Sequence, residues 1–445
     1  MRCKRIDARE KDLAQVCESL GMRGKMELGP ILETVSEILS EVRTKGDEAL
    51  LTYTEKFDRV RLSASELRVT KEETDAALRA TDPALLEVMA KSAANIRAFH
   101  ERQMESGFTM DVGNGSYIGM RVRPIGIAGI YVPGGTAPLP STVLMNVIPA
   151  KSAGVGRVVL CTPPRADGTV HPAILAAAAI AGADEIYKIG GAQAIAAMAS
   201  GTKTIPKVDK ICGPGNIYVN TAKRLVYGQV DIDMFAGPSE ILILADETAN
   251  PEFVAADMLS QAEHDRIASA ILLTPSAALA DLVYEAVDRR SEKLARKEIL
   301  SFSLPDYCAI LVVPDMATAI SFSNELAPEH LEICTEDPES ILPEIRNAGA
   351  VFLGDYTPEP LGDYFAGPNH TLPTSGTARF FSPLNTGDFL KKMSVLSYTE
   401  ASLRECYRDV AKFAEAEGLT AHAEAALVRF EENAETKAQT KEERQ

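Results

Sequence analysis

The chain contains no tryptophan and only six histidines in 445 residues, and its seven cysteines include no Cys-x-x-Cys pair. An odd number of widely spaced cysteines (Cys3, Cys17, Cys161, Cys212, Cys308, Cys334 and Cys406) excludes a disulfide framework and reads as reduced, mostly core thiols. No His-Glu-x-x-His motif is present, so spacing alone names no metal. Net basic charge is absent too. The formal charge is -17, and lysine and arginine are scattered among acids, which speaks against a nucleic-acid partner and for small molecules or protein. The longest apolar stretch, around Ala173 to Ala183, is too short to span a bilayer, and the opening "MRCKRIDAREKDLAQ" has no apolar core of a signal peptide. These absences describe a cytoplasmic chain with no membrane partner. What is abundant is apolar material, 46% of residues, enough for two or three domains.

Residues 1 to about 107 carry helical spacing, in "GPILETVSEILSEVRTKGDEALLTYTEKF" and again after Asp82-Pro83. From about 118, strand and helix patterns alternate: "IGIAGIYV", "RVVLCT", "EIYKI" and "VDKIC", each followed by a helix. A second series runs through "EILILAD", "ASAILLT", "CAILVV", "HLEICT" and "AVFLGD". Two α/β units with parallel sheets in tandem are expected. Beyond about 382 the pattern returns to helix and ends in the charged "TKAQTKEERQ", which reads as frayed or disordered.

The standard dinucleotide fingerprint is missing, since no Gly-x-Gly-x-x-Gly opens a helix after a strand. Three strand ends are nevertheless rich in glycine: "IYVPGG" at 130–135, "IGGAQAIA" at 189–196 and "ICGPGNIYV" at 211–219. Each alone is ordinary turn chemistry; together at one sheet edge they suit a phosphate-bearing ligand, with Tyr131, Gln193 and Asn216 as polar contacts. In "ADMLSQAEHDRIA", Gln261 and His264 stand three apart on an expected helix, either as a surface pair or as two ligands on one face. Asp363 follows the strand "AVFLGD", at a carboxyl edge where sites form, and His422 lies early in the last helix, where an exposed surface histidine is the alternative. Cys212 reads as a small buried apolar residue rather than a nucleophile. Glu329 and His330 adjoin just before the strand "HLEICT". Neighbours on a strand face opposite ways, so they can share a pocket only from the turn before it.

Taken in order, "YVPGG", "GGAQAIAA", "CGPGNIYV", "FAGPSE", "SQAEHD", "APEHLE", "LGDYFAGPNHTLPT" and "GLTAHAEA" resemble the histidinol dehydrogenases over nearly the whole chain. The resemblance implies two incomplete Rossmann-like domains: 26–130 plus 240–382 with the zinc and catalytic residues, and 131–239 for NAD. An N-terminal arm over 1–25 and a helical dimerisation segment over 383–445 complete the implied organisation. It implies one zinc ion per subunit on Gln261, His264, Asp363 and His422, a catalytic pair Glu329 and His330, and NAD contacts at Tyr131, Gln193 and Asn216. Substrate contacts would add Ser239 and Glu417 to His330 and the four zinc ligands, and in a homodimer the exchanged C-terminal segment would complete the partner's site with Glu417 and His422.

The implied reaction takes L-histidinol to L-histidine through an aldehyde with two NAD. Relatives on this scaffold oxidise other polar alcohols such as sulfonated diols. Glu417 separates the two readings, because a carboxylate suits an imidazole N–H and repels a sulfonate.

Overall fold

The computed structural model describes residues 2–10, 16, 29–134, 138–235 and 237–430. Most of the expected arm over 1–25, and the charged tail from 431, lie outside the described residues. Two compact units emerge, Met1–Met104 with Pro124–Phe389, and Glu105–Arg123 with Leu390–Gln445.

The first unit holds strands β1 (Lys4–Asp7), β4 (Ile127–Tyr131), β5 (Arg157–Thr162), β6 (Glu185–Lys188), β7 (Lys210–Cys212), β8 (Asp231–Ile232), β9 (Glu240–Ala245), β10 (Ser269–Thr274), β11 (Ala309–Val312), β12 (His330–Cys334) and β13 (Ala350–Leu353). The second unit is built on β2 (Phe108–Gly113), β3 (Ser116–Pro124) and β14 (Leu390–Ser397).

The two parallel sheets expected from the alternating pattern are present, ordered β6-β5-β4-β7-β8 and β1-β11-β10-β9-β12-β13. Their central strands are mostly apolar; every residue of β9 and of β10 is buried, as sheets covered on both faces require. Both sheets start in the middle. The chain goes from β4 out to β6 and returns to β7, and likewise from β9 out to β11 and back to β12. Each sheet therefore has a topological switch point, between β4 and β7 and between β9 and β12. Connecting helices start where the sequence places their caps: Asn250 accepts the Glu252 N–H at 2.9 Å before Pro251, and Asn216 accepts the Tyr218 and Val219 N–H groups.

One expectation needs correction. Residues 4–7, expected in a helical region, form an edge strand pairing with β11, because four residues are too few for a helix and β11 offers a free edge. Lys4 adds a bond to the Asp306 carbonyl at 2.7 Å. The helices between 29 and 101 pack on the five-stranded sheet. Val35, Ile38, Leu50, Tyr53 and Leu67 share one core with Tyr131, Val159, Tyr187 and Ile195, residues of the five-stranded sheet and its cover. The apolar faces of those early helices are matched to that sheet's helices, which explains the long amphipathic run before the first βα unit.

The segment over 383–445, expected to return to helix, carries its helices after one strand. It begins with β14, which joins β3 and β2 in a three-stranded sheet. The β2–β3 hairpin turns at "GNGS": Gly113 pairs with Ser116 around Asn114 and Gly115, both at positive φ, the Asn-Gly turn that suits a twisted hairpin. Helices Glu400–Ala416 and Thr420–Leu427 follow, and Ser116 ties this unit together by donating to Ser402 Oγ at 2.7 Å and accepting the Thr399 N–H at 2.8 Å. No helix among the described residues is long and apolar enough to cross a membrane.

Candidate active site

In the six-stranded sheet the expected pair is brought together by its neighbour strand. His330 opens β12 and Glu329 immediately precedes it, after Ala327 in a left-handed conformation ends the helix Met316–Leu326. The first residue of β9 serves both. Glu329 Oε2 accepts the Glu240 N–H at 2.9 Å, and His330 Nδ1 lies 3.1 Å from the Glu240 carbonyl. A carbonyl can only accept, so Nδ1 carries the proton in the neutral ring and Nε2 is the basic nitrogen. Nδ1 stands 3.7 Å from Glu329 Oε2, while Nε2 faces Asp363 Oδ1 at 3.6 Å and Glu359 Oε1 at 3.8 Å.

This constellation corrects the expected placement of Asp363. It is not at the carboxyl edge of its strand but on the helix Glu359–Tyr364, which brings it back beside His330 at the amino edge. Gly362 permits this: a Cβ there would come within 2.6 Å of the Phe352 ring, so only glycine lets this turn lie on β13. Glu359, four residues before Asp363 on the same face, was missed by sequence reasoning, although an i, i+4 pair of acids on a short helix was the available signal. His370 was missed as well; its Nδ1 lies 3.0 Å from the Asp363 carbonyl oxygen. Asp363, His370 and Phe352 line a cavity of about 130 Å³.

Burial disfavours a charged His330, but Glu329, Asp363 and Glu359 outweigh it and lift the ring to about 10. Burial likewise raises Glu329 to about 8, opposed by His330, and raises Glu359 to about 8 with the Asp363 charge adding to it. For Asp363 burial is overcome by His330 and His370, and the carboxylate is held well below its usual range.

Gln261 ends the helix Pro251–Ala262, whose Ser260 Oγ lies 3.4 Å from Glu359 Oε2. The expected helical pair is modified here: the helix stops at Ala262, and His264 follows in a tight turn with its N–H on the Gln261 carbonyl at 3.2 Å. Asp265 causes the break by accepting the Ile267 N–H into a turn of its own. His264 is exposed as a residue, yet desolvation lowers its ring pKa against the pull of Asp363, so Asp363 and His330 are within its electrostatic reach. Ser239 is partly buried at the head of β9. Glu417 and His422 belong to the second unit, where both are exposed.

Whether a cation suits this cage can be judged from unpaired atoms. Gln261 is fully buried, yet neither its Oε1 nor its Nε2 has a hydrogen-bond partner among the described residues. His330 Nε2 and Glu359 Oε1 are also unpartnered, and atoms of His330, Glu359 and Asp363 lie within 4.8 Å of one another. The open amide and carboxylate oxygens, Gln261 Oε1 and Glu359 Oε1, fit a bound cation, and His330 Nε2 is left to exchange a proton.

The five-stranded sheet presents a second edge, at the carboxyl ends flanking its switch point. Tyr131 ends β4 and its hydroxyl accepts the Gly191 N–H at 3.1 Å; Asn216 caps its helix with Oδ1. Gln193 is buried with both amide atoms unpaired among the described residues, and the helix Gly191–Ser200 has no side-chain cap. Of the three expected contacts, Gln193 is thus the one with no internal role, and this edge fits a phosphate-bearing ligand. Cys212 is fully buried and its thiol is pushed well above the usual range by that burial, as befits a packing residue.

The chain is similar in sequence and fold to proteins of one family. A crystal structure of histidinol dehydrogenase from Elizabethkingia anophelis superposes with a TM-score of 0.90 at 41% identity, over 96% of this chain and 98% of that one. Histidinol dehydrogenase from Clostridium acetobutylicum is 53% identical over 413 residues, 93% of this chain and 95% of its own length. The Bacillus subtilis enzyme is 54% identical over 391 residues, 88% and 91%. With the family model for histidinol dehydrogenase matching residues 22–430, the chain belongs to the histidinol dehydrogenase family.

Proposed function

We propose that this protein oxidises L-histidinol to L-histidine in two steps through an aldehyde, the last step of histidine biosynthesis. The observation that carries the reading is the anchoring of His330. With Nδ1 committed to Glu240, Nε2 is the one ring atom free to take a proton, and it points to the buried carboxylate cage. The histidinol dehydrogenase family performs oxidoreductase chemistry, and the two sheet edges offer separate places for substrate and cofactor.

In this reading NAD, held at Tyr131, Gln193 and Asn216, supplies the hydride acceptor. Gln261, His264 and Asp363, with His422 of the partner subunit, would hold a zinc ion, which would supply positive charge to orient the substrate and to offset Asp363, one of the carboxylates that after Glu329 keep His330 protonated. His330 takes the hydroxyl proton in the first oxidation. Glu329 deprotonates the water that hydrates the aldehyde, and His330 accepts the proton of the second oxidation. Ser239 and Glu417 contact the substrate, Glu417 by accepting from the imidazole. Exchange of the C-terminal segment in a homodimer explains why Glu417 and His422 are exposed in a single chain.

The test is a coupled assay of the purified protein on histidinol beside a sulfonated diol. Two NADH per histidinol and none from the diol is the expected result. A ratio of one, or preference for the diol, refutes the proposal.

A further inference from the structure

Beneath the turn that follows β7 lies an ion pair sealed from solvent. Lys223, in the helix Ile217–Val226, meets Asp233, just after β8, and their side chains are 0% and 1% exposed. Both partners also bind the same backbone residue. Asp233 Oδ2 accepts the Gly213 N–H at 2.7 Å, and Lys223 Nζ donates to the Gly213 carbonyl at 3.0 Å. The remaining Asp233 oxygen accepts the Met234 N–H at 2.6 Å.

Gly213 is confined on its other side. Its φ is +117°, and a Cβ would lie 2.0 Å from the Tyr131 carbonyl oxygen. The glycine therefore links three things: the end of β4 with Tyr131, the buried pair, and the turn that leads to Asn216. Burying two charges carries a large desolvation penalty, and apolar side chains could fill the same space without it. What apolar side chains could not do is hold both polar groups of one residue in a left-handed conformation.

We infer that Lys223 and Asp233 are positioning residues for cofactor binding: by gripping both polar groups of Gly213 they set the spacing between Tyr131 and Asn216 across the switch point. Neither touches the dinucleotide. The inference rests on the reading above, that this edge takes NAD. Loss of the pair frees the turn, so cofactor affinity falls while proton transfer at the other sheet is untouched. Preorganisation of this kind acts on binding rather than on the chemical step.

The test uses the full-length, zinc-loaded protein and three variants: Lys223→Met, Asp233→Leu, and the neutral double variant Lys223→Gln with Asp233→Asn, which retains a donor and an acceptor for Gly213. NAD binding is measured by calorimetry and turnover by steady-state kinetics. The single variants should raise Kd and KM for NAD about tenfold or more, with kcat at saturating NAD and KM for histidinol changed by about twofold at most, and the double variant should recover most of the loss. Unchanged NAD affinity in folded single variants overturns the inference. So does a parallel loss in kcat and both KM values, or loss of structure in all three variants. Gln193→Ala is the control. If it binds NAD normally, this edge is not the cofactor site and the inference falls with that reading; if it alone weakens NAD, only the inference fails.

Discussion

Replacing His330 by asparagine separates its two jobs. The asparagine amide can still donate to the Glu240 carbonyl in place of Nδ1, now 3.1 Å away, so β12 stays registered on β9. Nothing then occupies the place of Nε2, which faces Asp363 at 3.6 Å and Glu359 at 3.8 Å. Losing a positioned base costs about 10²–10⁴-fold, or roughly 3–5 kcal/mol of transition-state stabilisation. Both oxidations should slow by that amount, since both release a proton to the same nitrogen. Glu329→Gln is the contrasting change. Its amide oxygen can still accept the Glu240 N–H, now bonded at 2.9 Å, but it cannot deprotonate water. Aldehyde oxidation should therefore slow by about 10²-fold or more while histidinol oxidation changes only a few-fold. Single-turnover absorbance at the NADH band, started from histidinol and separately from the aldehyde, resolves the steps. Loss below about tenfold in His330→Asn, or equal loss of both steps in Glu329→Gln, refutes this division of labour.

Gln261→Leu should abolish turnover yet stabilise the apoprotein by about 1–3 kcal/mol, because two buried unpaired atoms are removed; a destabilised apoprotein in denaturant titration would show that the amide has a structural partner. Asp58 has one buried oxygen with no partner among the described residues, and burial lifts its pKa to about 6 from 3.8. The folded state thus holds a proton that the unfolded state releases, so stability falls as pH rises from about 3.8 to 6 and stays lower above. After discounting for partial exposure, Asp58→Asn should gain about 1–2 kcal/mol at pH 7.5 and nothing at pH 3.5; melting curves showing equal gains at both would refute the burial account. Chelation should stop turnover and leave far-UV circular dichroism intact, with activity restored by zinc, because Glu240 anchors His330 without a metal. Unfolding on chelation would instead make the metal structural.

The sequence made the two parallel sheets legible because fully buried strands such as "EILILA" and "SAILLT" are long apolar runs bounded by capped helices. Its glycine-rich strand ends marked the edge with the switch point, and the adjoining acid and base Glu329 and His330 marked the other candidate site. The edge strand Lys4–Asp7 carried no such signal, since an exposed strand of four residues has no periodicity to read. Asp363 was found but misplaced. Counting from the end of β13 put it at the carboxyl edge, whereas the tolerance of Gly362 for the Phe352 ring, a contact distant from any local pattern, decides where its helix lies. Glu359 and His370 escaped because their significance is spatial.

The switch-point rule places ligands outside the carboxyl ends of strands, and in the five-stranded sheet the candidate cofactor contacts obey it. The six-stranded sheet has the same topology, but its titratable cluster lies at the opposite end of β9 and β12. Hydrogen bonding explains how that end can serve. At the carboxyl end, Asp246 already occupies the crevice: its N–H donates to the Cys334 carbonyl at 3.3 Å, and its carboxylate accepts the Thr248 and Glu336 N–H groups. At the amino end, the Glu240 N–H and carbonyl are bonded by Glu329 and His330 in turn. Adjacent residues on a strand cannot share a face, but these two need not, because one lies before the strand and both bond to the same residue of its neighbour. The pairing of His330 with Ile241 then becomes a catalytic constraint: a slip of one residue between β9 and β12 would separate both side chains from Glu240 and turn the imidazole away from Asp363.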